Sequence, residues 1–294
     1  MGLNYYLARE VLRARNHPTG QLVATIGQLQ HFMTRSQARR LCEEFGLSSD
    51  APWTRQPFGS YGHEFLVTAG AERVVVIDAS AYEAADEIHD MNEPVGPHLH
   101  QSFDLVVDGG SIEHIFRPHQ ALANVLQMTK VGGSAIIWTP ANNLCGHGFY
   151  QFSPEFFFSA LDGASGFQIV TALVVECVYP SVSLVEPRAA YRVRRPSEAG
   201  ARVGAVSKRP LMLLVRAIKT RHVAEPLAHT PQQSDYVTNW AKGPAGLSGL
   251  MGAVSARLHR TRIGDAVIRR ALGIRERRRF SLHNRKHFIR EWDP

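Results

Sequence analysis

Short continuous apolar runs, separated by polar segments and glycine-containing turns, are the main pattern of the chain. The runs RVVVI (73–77) and FDLVV (103–107) each end at an aspartate, which is typical of strands buried on both faces of a parallel sheet. The polar segment 36–45 and the segment 118–130 are predicted helices. Because strands alternate with helices, the pattern predicts a doubly wound, mostly parallel α/β sheet of seven strands. The predicted strands are 21–26, 73–77, 87–89, 103–107, 134–138, 168–175 and 211–218.

Composition divides the chain into a body and a C-terminal part. The predicted parts are an N-terminal helix (1–20), a ligand-binding domain (21–220) containing a loop or hairpin insertion (179–209), a linker (221–246) and a basic helical extension (247–294). The insertion is rich in Pro, Arg and Ser, and the linker in Pro, Gln, Ser, Gly and Ala. Apolar spacing predicts one helix in the extension at 247–258 and a second at 265–272, ending at Gly273.

The net charge of +7 resides in the extension. Residues 251–294 hold 12 Lys and Arg against four Asp and Glu, while the rest of the chain is nearly balanced. Such a segment contacts anionic lipid or RNA phosphates, or is a solvated face. We expect a peripheral membrane contact through 247–290 in preference to nucleic acid, because the neutral body offers no continuing basic surface.

The cysteines and the apolar runs indicate the compartment. Cys42, Cys145 and Cys177 lie far apart and form no CxxC pair, so neither a disulfide framework nor a cysteine zinc site is expected. No apolar run reaches the roughly 18 residues of a membrane span, and the N-terminus lacks a signal-peptide pattern. The sequence predicts a cytoplasmic protein, and it leaves a homo-oligomer open.

Glycines and carboxylates stand where the predicted strands end. Gly27, Asp78, Asp90 and Asp108 each follow a strand, and ligands of open α/β sheets bind at these carboxyl ends. Asp78, after the second strand, suits a ribose diol because an ionised carboxylate accepts two hydroxyl hydrogen bonds. The alternative is that these aspartates cap the elements that follow.

Over roughly residues 20–220 the chain resembles the class I S-adenosylmethionine (SAM) dependent methyltransferase superfamily. The matching segments are VATIG, VVVIDAS, IHDMNEP, FDLVVDGGSIEHI, ALANVLQMTKVGG with IIWTP, and LMLLVRAIK. The resemblance implies methyl transfer from SAM. The cofactor contacts that it implies are Gly27 and Gln28 at the amino-acid moiety, Asp78 and Ala79 at the ribose, Asp90 and Met91 at the adenine, and Asp108, Gly109, Gly110 and Ser111 at the methyl donor.

The loop after the first strand departs from this family. It reads Gly27-Gln28-Leu29-Gln30, where the family usually has Gly-x-Gly-x-Gly. A nicotinamide enzyme fits less well still, since its fingerprint needs three glycines and an acidic residue about 20 positions on. The shortened motif also leaves open a non-catalytic, methyltransferase-like binding or scaffold protein.

Three residues after the fourth and fifth strands could assist the chemistry. Methylation of a hydroxyl requires removal of its proton, for which a positioned histidine contributes about 10²- to 10⁴-fold. His114, beside Glu113, is one candidate base, and His147 is the other. A metal is not expected, because Gly110 occupies the position where a Glu-x-x-Glu-His pattern needs its first carboxylate.

The segment PANNLCGHGFYQFSP (140–154) suits a substrate lid. The amides of Asn142 and Asn143 can bind hydroxyls, and the rings of Phe149 and Tyr150 can stack on sugar faces. The alternative is a loop whose rings cover the sheet edge. We therefore expect O-methylation of a sugar, a polysaccharide or a secondary metabolite, with RNA methylation anchored by the basic extension as the alternative.

Overall fold

The computed structural model describes residues 2–15, 20–179, 187–242 and 262–292. The helices are α1 Tyr5–Arg13, α2 Arg35–Phe45, α3 His63–Thr68, α4 Pro118–Met128, α5 Pro154–Ala160, α6 Pro196–Ala199, α7 Ser234–Lys242 and α8 Arg262–Arg279. The strands are β1 Gly2–Leu3, β2 Gln21–Ile26, β3 Gln30–His31, β4 Ala71–Asp78, β5 Glu87–Ile88, β6 Phe103–Asp108, β7 Thr129–Asn142, β8 Phe167–Cys177, β9 Pro187–Val193, β10 Leu211–Lys219 and β11 Phe288–Trp292. All seven predicted strands are present. β7 is much longer than the predicted 134–138, because Thr129 pairs with Phe103 of β6 and Asn142 with Leu211 of β10.

The strand order places a crevice at the carboxyl ends of the parallel strands. The order is β5-β4-β2-β6-β7-β10-β8-β9-β11, and the first five strands of this order are parallel to one another. From β2 the chain moves outward through β4 to β5 and then returns to β6 on the other side. The sheet therefore has its topological switch point between the carboxyl ends of β2 and β6, where open α/β sheets bind ligands. This arrangement confirms the predicted doubly wound α/β fold.

Helices cover both faces of this sheet. One apolar core joins α1, α2 and α3 to the strands, and the other joins α4 and α5 to the opposite face. Continuous apolar strands supply side chains to both cores in alternation. Ile136 and Trp138 of β7, for example, lie in the first core, whereas Ile137 between them lies in the second.

The described part of the main sheet has nine strands, so the prediction of seven was wrong. The two additional strands form its far edge: β9 pairs antiparallel with β8, and β11 pairs antiparallel with β9. β9 belongs to the segment predicted as an insertion, and β11 to the predicted helical extension. Phe288 of β11 is buried in the second core. Burial of this side chain stabilises the strand, although the neighbouring charged residues give its sequence no strand-like pattern.

Two further expectations for the C-terminal part need correction. The helix predicted at 265–272 is longer: α8 continues through Gly273 to Arg279, which is possible because a glycine inside a helix costs only about 1 kcal/mol. The predicted linker contains α7. The helix predicted at 247–258 lies outside the described residues. Among the helices of the described ranges, none has the length and apolarity required to cross a bilayer.

Lys219, at the end of β10, is buried and makes stability depend on pH. Its Nζ donates to the carbonyls of Leu126 (2.9 Å) and Thr129 (2.7 Å), and burial lowers its pKa to about 8. The unfolded chain keeps this proton up to about pH 10.4. The free energy of unfolding is therefore expected to rise between about pH 8 and 10.4, by at most about 1.4 kcal/mol per pH unit from this group.

Urea denaturation of the wild type and of Lys219→Met at pH 7.5 and 9.5 measures this contribution. The difference in unfolding free energy between the two proteins should change with pH in the stated direction, whatever the constant cost of the substitution. A pH-independent difference would contradict the assignment.

Candidate cofactor and acceptor site

Three predicted cofactor residues meet at the switch point. Gly27 follows β2 with φ +71°, and its N–H donates to Ile77 O at 2.8 Å. A Cβ built on Gly27 would lie 3.4 Å from Ser111 Oγ and 3.5 Å from Asp78 Oδ2. The ends of β2, β4 and the loop after β6 therefore form one small region with a glycine between a hydroxyl and a carboxylate.

The carboxylate of Asp108 holds the turn after β6. It is buried and accepts the backbone N–H groups of Gly110 (2.8 Å), Ser111 (2.6 Å) and Ile112 (3.0 Å). Burial and the neighbouring Glu113 raise the pKa of Asp108 to about 7. Asp108 thus shapes the backbone at the crevice, and its oxygens are already occupied by the turn.

The turn after β6 is also tied to the first loop. Ser111 Oγ donates to Ile26 O at 2.8 Å. At Gly109 a Cβ would lie 2.3 Å from Leu29 Cδ2, so this position packs directly against the loop after β2. Gln28, in the same loop, donates through Nε2 to Glu83 O at 3.0 Å. The first loop is therefore held by side-chain contacts rather than by a series of glycines.

The remaining predicted cofactor residues differ in exposure. Asp78 is half-buried and its Oδ1 accepts the N–H of Ser80 at 3.1 Å, while Ala79 is exposed. Asp90 is exposed, and hydrogen bonds from the backbone N–H and side chain of Asn92 lower its pKa. The side chain of Met91 is buried in the core. Of these four residues, Asp78 is the one with an atom within 4 Å of a Cβ built on Gly27.

Glu113, His114 and His147 come together beside this crevice, and we refer to them as the Glu-His-His cluster. Glu113 is fully buried; its Oε2 accepts the hydroxyl of Thr139 at 2.9 Å, and its Oε1 lies 3.6 Å from His147 Nε2. The rings of His114 and His147 meet edge to face, with centroids 4.7 Å apart. One potential ligand atom from each of the three residues lies within 4.8 Å of the other two, so the cluster could hold a cation.

Partial burial lowers the pKa of His114; Glu113 opposes this effect and His147 adds to it. The imidazole is consequently biased toward its neutral form, which is the form that accepts a proton or binds a metal.

A tight turn fixes His147 against Glu113. The carbonyl of Glu113 accepts the N–H groups of Phe149 (2.7 Å) and Tyr150 (3.2 Å). Gly148 has φ +74°, and a Cβ there would lie 2.7 Å from the same carbonyl oxygen. Only glycine fits this approach without moving the loop.

The two asparagines predicted to bind substrate also hold a neighbouring segment of the chain. Asn142 Nδ2 donates to Ala205 O at 3.2 Å, and Asn143 Nδ2 donates to Ser207 O and Arg209 O, both at 2.9 Å. These bonds tie the loop after β7 to the segment that precedes β10. Binding of a substrate hydroxyl by these amides stays a prediction.

Two exposed phenylalanines form an aromatic surface next to the cluster. Phe116 and Phe149 are 67% and 66% exposed, and their rings meet edge to face at 5.7 Å. Tyr150 supports them, since its hydroxyl donates to Phe116 O at 2.9 Å. Sequence reasoning identified Phe149 and Tyr150 but assigned no role to Phe116 or to Thr139, the partner of Glu113. Thr139 directly follows the predicted strand 134–138, whereas Phe116 lies well beyond the end of the strand 103–107 and gave no signal.

No protein-family model matches the sequence, and no curated protein resembles it significantly. Solved structures resemble it weakly. A candidate methyltransferase from Bacillus halodurans C-125 shares 11% identity over 73% of this chain and 99% of its own, with a TM-score of 0.43. A candidate SAM-dependent methyltransferase from Listeria monocytogenes shares 13% over 74% and 99% (0.41), and the YcgJ protein from Bacillus subtilis shares 11% over 74% and 98% (0.39). At this identity and TM-score these likenesses assign neither a reaction nor a substrate.

Proposed function

We propose that the chain is a SAM-dependent methyltransferase that methylates a hydroxyl of a sugar, a polysaccharide or a secondary metabolite. The observation that carries the cofactor assignment is the convergence of Gly27, Asp78 and Ser111 at the switch point of a doubly wound sheet. Such a crevice is where this architecture binds nucleotide-like ligands. Because Gly27 has no Cβ, a ligand can approach its backbone closely, between the carboxylate of Asp78 and the hydroxyl of Ser111.

Each proposed cofactor contact follows from its position at the carboxyl ends of the parallel strands. Asp78 Oδ2, which faces Gly27, accepts the ribose hydroxyls of SAM. Asp90 and the backbone of Met91 border the adenine. The turn held by Asp108 presents Gly110 and Ser111 toward the sulfonium end.

The Glu-His-His cluster and the aromatic surface support a hydroxyl acceptor. In the reaction the S–CH₃ bond breaks, the O–CH₃ bond forms in line with it, and S-adenosylhomocysteine leaves. The hydroxyl proton passes to the cluster, to His114 or His147 when an imidazole is the base. The exposed rings of Phe116 and Phe149 offer a surface for the apolar face of a sugar or another ring.

Calorimetric titration with SAM and S-adenosylhomocysteine tests the cofactor assignment. We expect binding by the wild type and, in Asp78→Asn, affinity weaker by about tenfold or more, because a hydrogen bond to a charged group contributes about 1.5 to 3 kcal/mol. Glu64→Gln, at an exposed position of α3, is the matched control and should bind like the wild type. Absence of binding at millimolar cofactor would contradict the enzyme proposal.

A basic surface on the C-terminal part favours RNA as a second candidate acceptor. Arginine and lysine side chains line an open cleft of about 790 Å³ between α8 and the segment that precedes β11. The basic residues of this cleft are Arg275, Arg278, Arg279, Arg285 and Lys286. RNA retention that falls steeply with salt, and that is lost in a double Arg275→Ala, Arg278→Ala variant, would favour this alternative. SAM binding without turnover on any hydroxyl or RNA acceptor would favour a non-catalytic binding protein.

A further inference from the structure

Glu113 carries a buried carboxylate oxygen with no hydrogen-bond partner. The residue has no exposed surface, and within the described chain neither its Oε1 nor the Nε2 of His147 is hydrogen-bonded. The two atoms face each other at 3.6 Å, which is too long for a hydrogen bond. A buried carboxylate needs a cationic partner to offset its desolvation, and the space between these atoms is where such a partner would lie.

The spacing of the cluster fits a metal ion better than a direct contact. Ligand atoms at about 2.0 to 2.2 Å from a tetrahedral Zn²⁺ lie about 3.3 to 3.5 Å from one another, close to the separation of Glu113 Oε1 and His147 Nε2. His114 supplies the third donor, since one potential ligand atom from each of the three residues lies within 4.8 Å of the other two. His114 is an exposed residue whose ring already meets that of His147.

We propose that Glu113, His114 and His147 bind one divalent transition-metal ion, such as Zn²⁺, Co²⁺, Mn²⁺ or Fe²⁺. Two imidazoles and one carboxylate form the donor set of open metal sites, which keep positions free for an oxygen ligand. Thr139, which donates to Glu113 Oε2, orients the carboxylate so that Oε1 points at the ion. In the Glu-x-x-Glu-His pattern the first carboxylate is missing here, because that position is Gly110. The third ligand is instead His147, from the loop after β7.

The consequence for catalysis rests on the proposed function. An acceptor hydroxyl bound to the ion loses its proton more readily, because the cation stabilises the resulting alkoxide. With the ion bound, the proton would go to solvent, and the oxygen would form the O–CH₃ bond as the S–CH₃ bond of SAM breaks and S-adenosylhomocysteine leaves. The two histidines would then act as ligands in place of a base.

Binding of Co²⁺ alone tests the site without SAM. We expect the full chain, freed of metal with a chelator, to bind one Co²⁺ with visible absorption bands of a low-coordinate site, and Zn²⁺ to displace it. His147→Ala and Glu113→Gln should each weaken Co²⁺ binding by at least tenfold, since even loss of a group that only orients a ligand costs about 10- to 100-fold. His119→Ala, exposed at the start of α4, is the control and should bind like the wild type.

Failure to bind Co²⁺ or Zn²⁺, or equal weakening by His119→Ala, would overturn the proposal. If circular dichroism shows Glu113→Gln to be unfolded, His114→Ala and His147→Ala decide, and wild-type affinity in both would overturn it as well. Calorimetry with SAM in the metal-free protein distinguishes the two proposals. SAM binding without Co²⁺ binding would contradict only the metal site, and Co²⁺ binding without SAM binding would contradict only the methyltransferase function.

Discussion

Replacing Gly148 with alanine is expected to lower the proposed methyl transfer about 100-fold while the protein stays folded. The added Cβ would lie 2.7 Å from the carbonyl oxygen of Glu113, which is backbone and cannot rotate away. The loop must therefore retreat, and His147, one residue earlier, retreats with it. A displacement of about 1 Å at a reacting group costs about 10²-fold in rate. Single-turnover kinetics with a hydroxyl acceptor and SAM measure the effect.

Gly146→Ala separates this steric effect from simple backbone strain. Gly146 lies in the same loop with φ +101°, and within the described ranges no atom outside its two chain neighbours lies within 4 Å of a Cβ built there. Both variants strain a left-handed backbone, but only Gly148→Ala pushes against Glu113. Equal losses in the two variants would show that loop strain, rather than the contact with Glu113, limits turnover.

Replacing Trp138 with alanine is expected to lower the free energy of unfolding by about 3 to 5 kcal/mol. Trp138 is 1% exposed at the centre of β7, where it packs in the core formed with α1 to α3. Because strands on both sides hold β7, the surrounding side chains cannot collapse fully into the space that the indole leaves. Urea denaturation followed by circular dichroism measures the change.

Trp240→Ala provides the matched substitution at the surface. Trp240 in α7 is 65% exposed and stacks on Tyr236, so its removal should cost less than about 1 kcal/mol. A loss at Trp138 no larger than that at Trp240 would contradict the central place of β7 in the core.

The parallel half of the sheet could be predicted because its information is local. Runs such as 73–77 and 103–107 are apolar without interruption, and a strand buried on both faces requires this. β9 and β11 carry arginines, as in PRAAYRV and FIREW, and become strands only by pairing with each other and with β8. Pairing between segments about 100 residues apart leaves no local periodicity to detect.

The sequence predicted which residues gather in one region but not how they are bonded. Strand ends indicated Gly27 and Asp78, the family resemblance indicated Ser111, and the loops after the fourth and fifth predicted strands contained the candidates Glu113 and His147. Which polar atoms remain available could not be read from the sequence. The carboxylate of Asp108 accepts backbone N–H groups, and the amide of Asn142 donates to the carbonyl of Ala205. Such partners are determined only in the folded chain.

The far edge of the sheet also bears on how copies of this protein can associate. An outermost strand offers unpaired backbone groups to another chain, and charged side chains on it discourage such pairing. β11 occupies that place with Arg290 and Glu291, and Glu291 is ion-paired to Arg192 of β9. At the opposite end β5 has only two residues. Both ends of the sheet are thus poor templates for strand addition, and any oligomer of this chain is expected to assemble through helices or loops rather than as one continuous sheet.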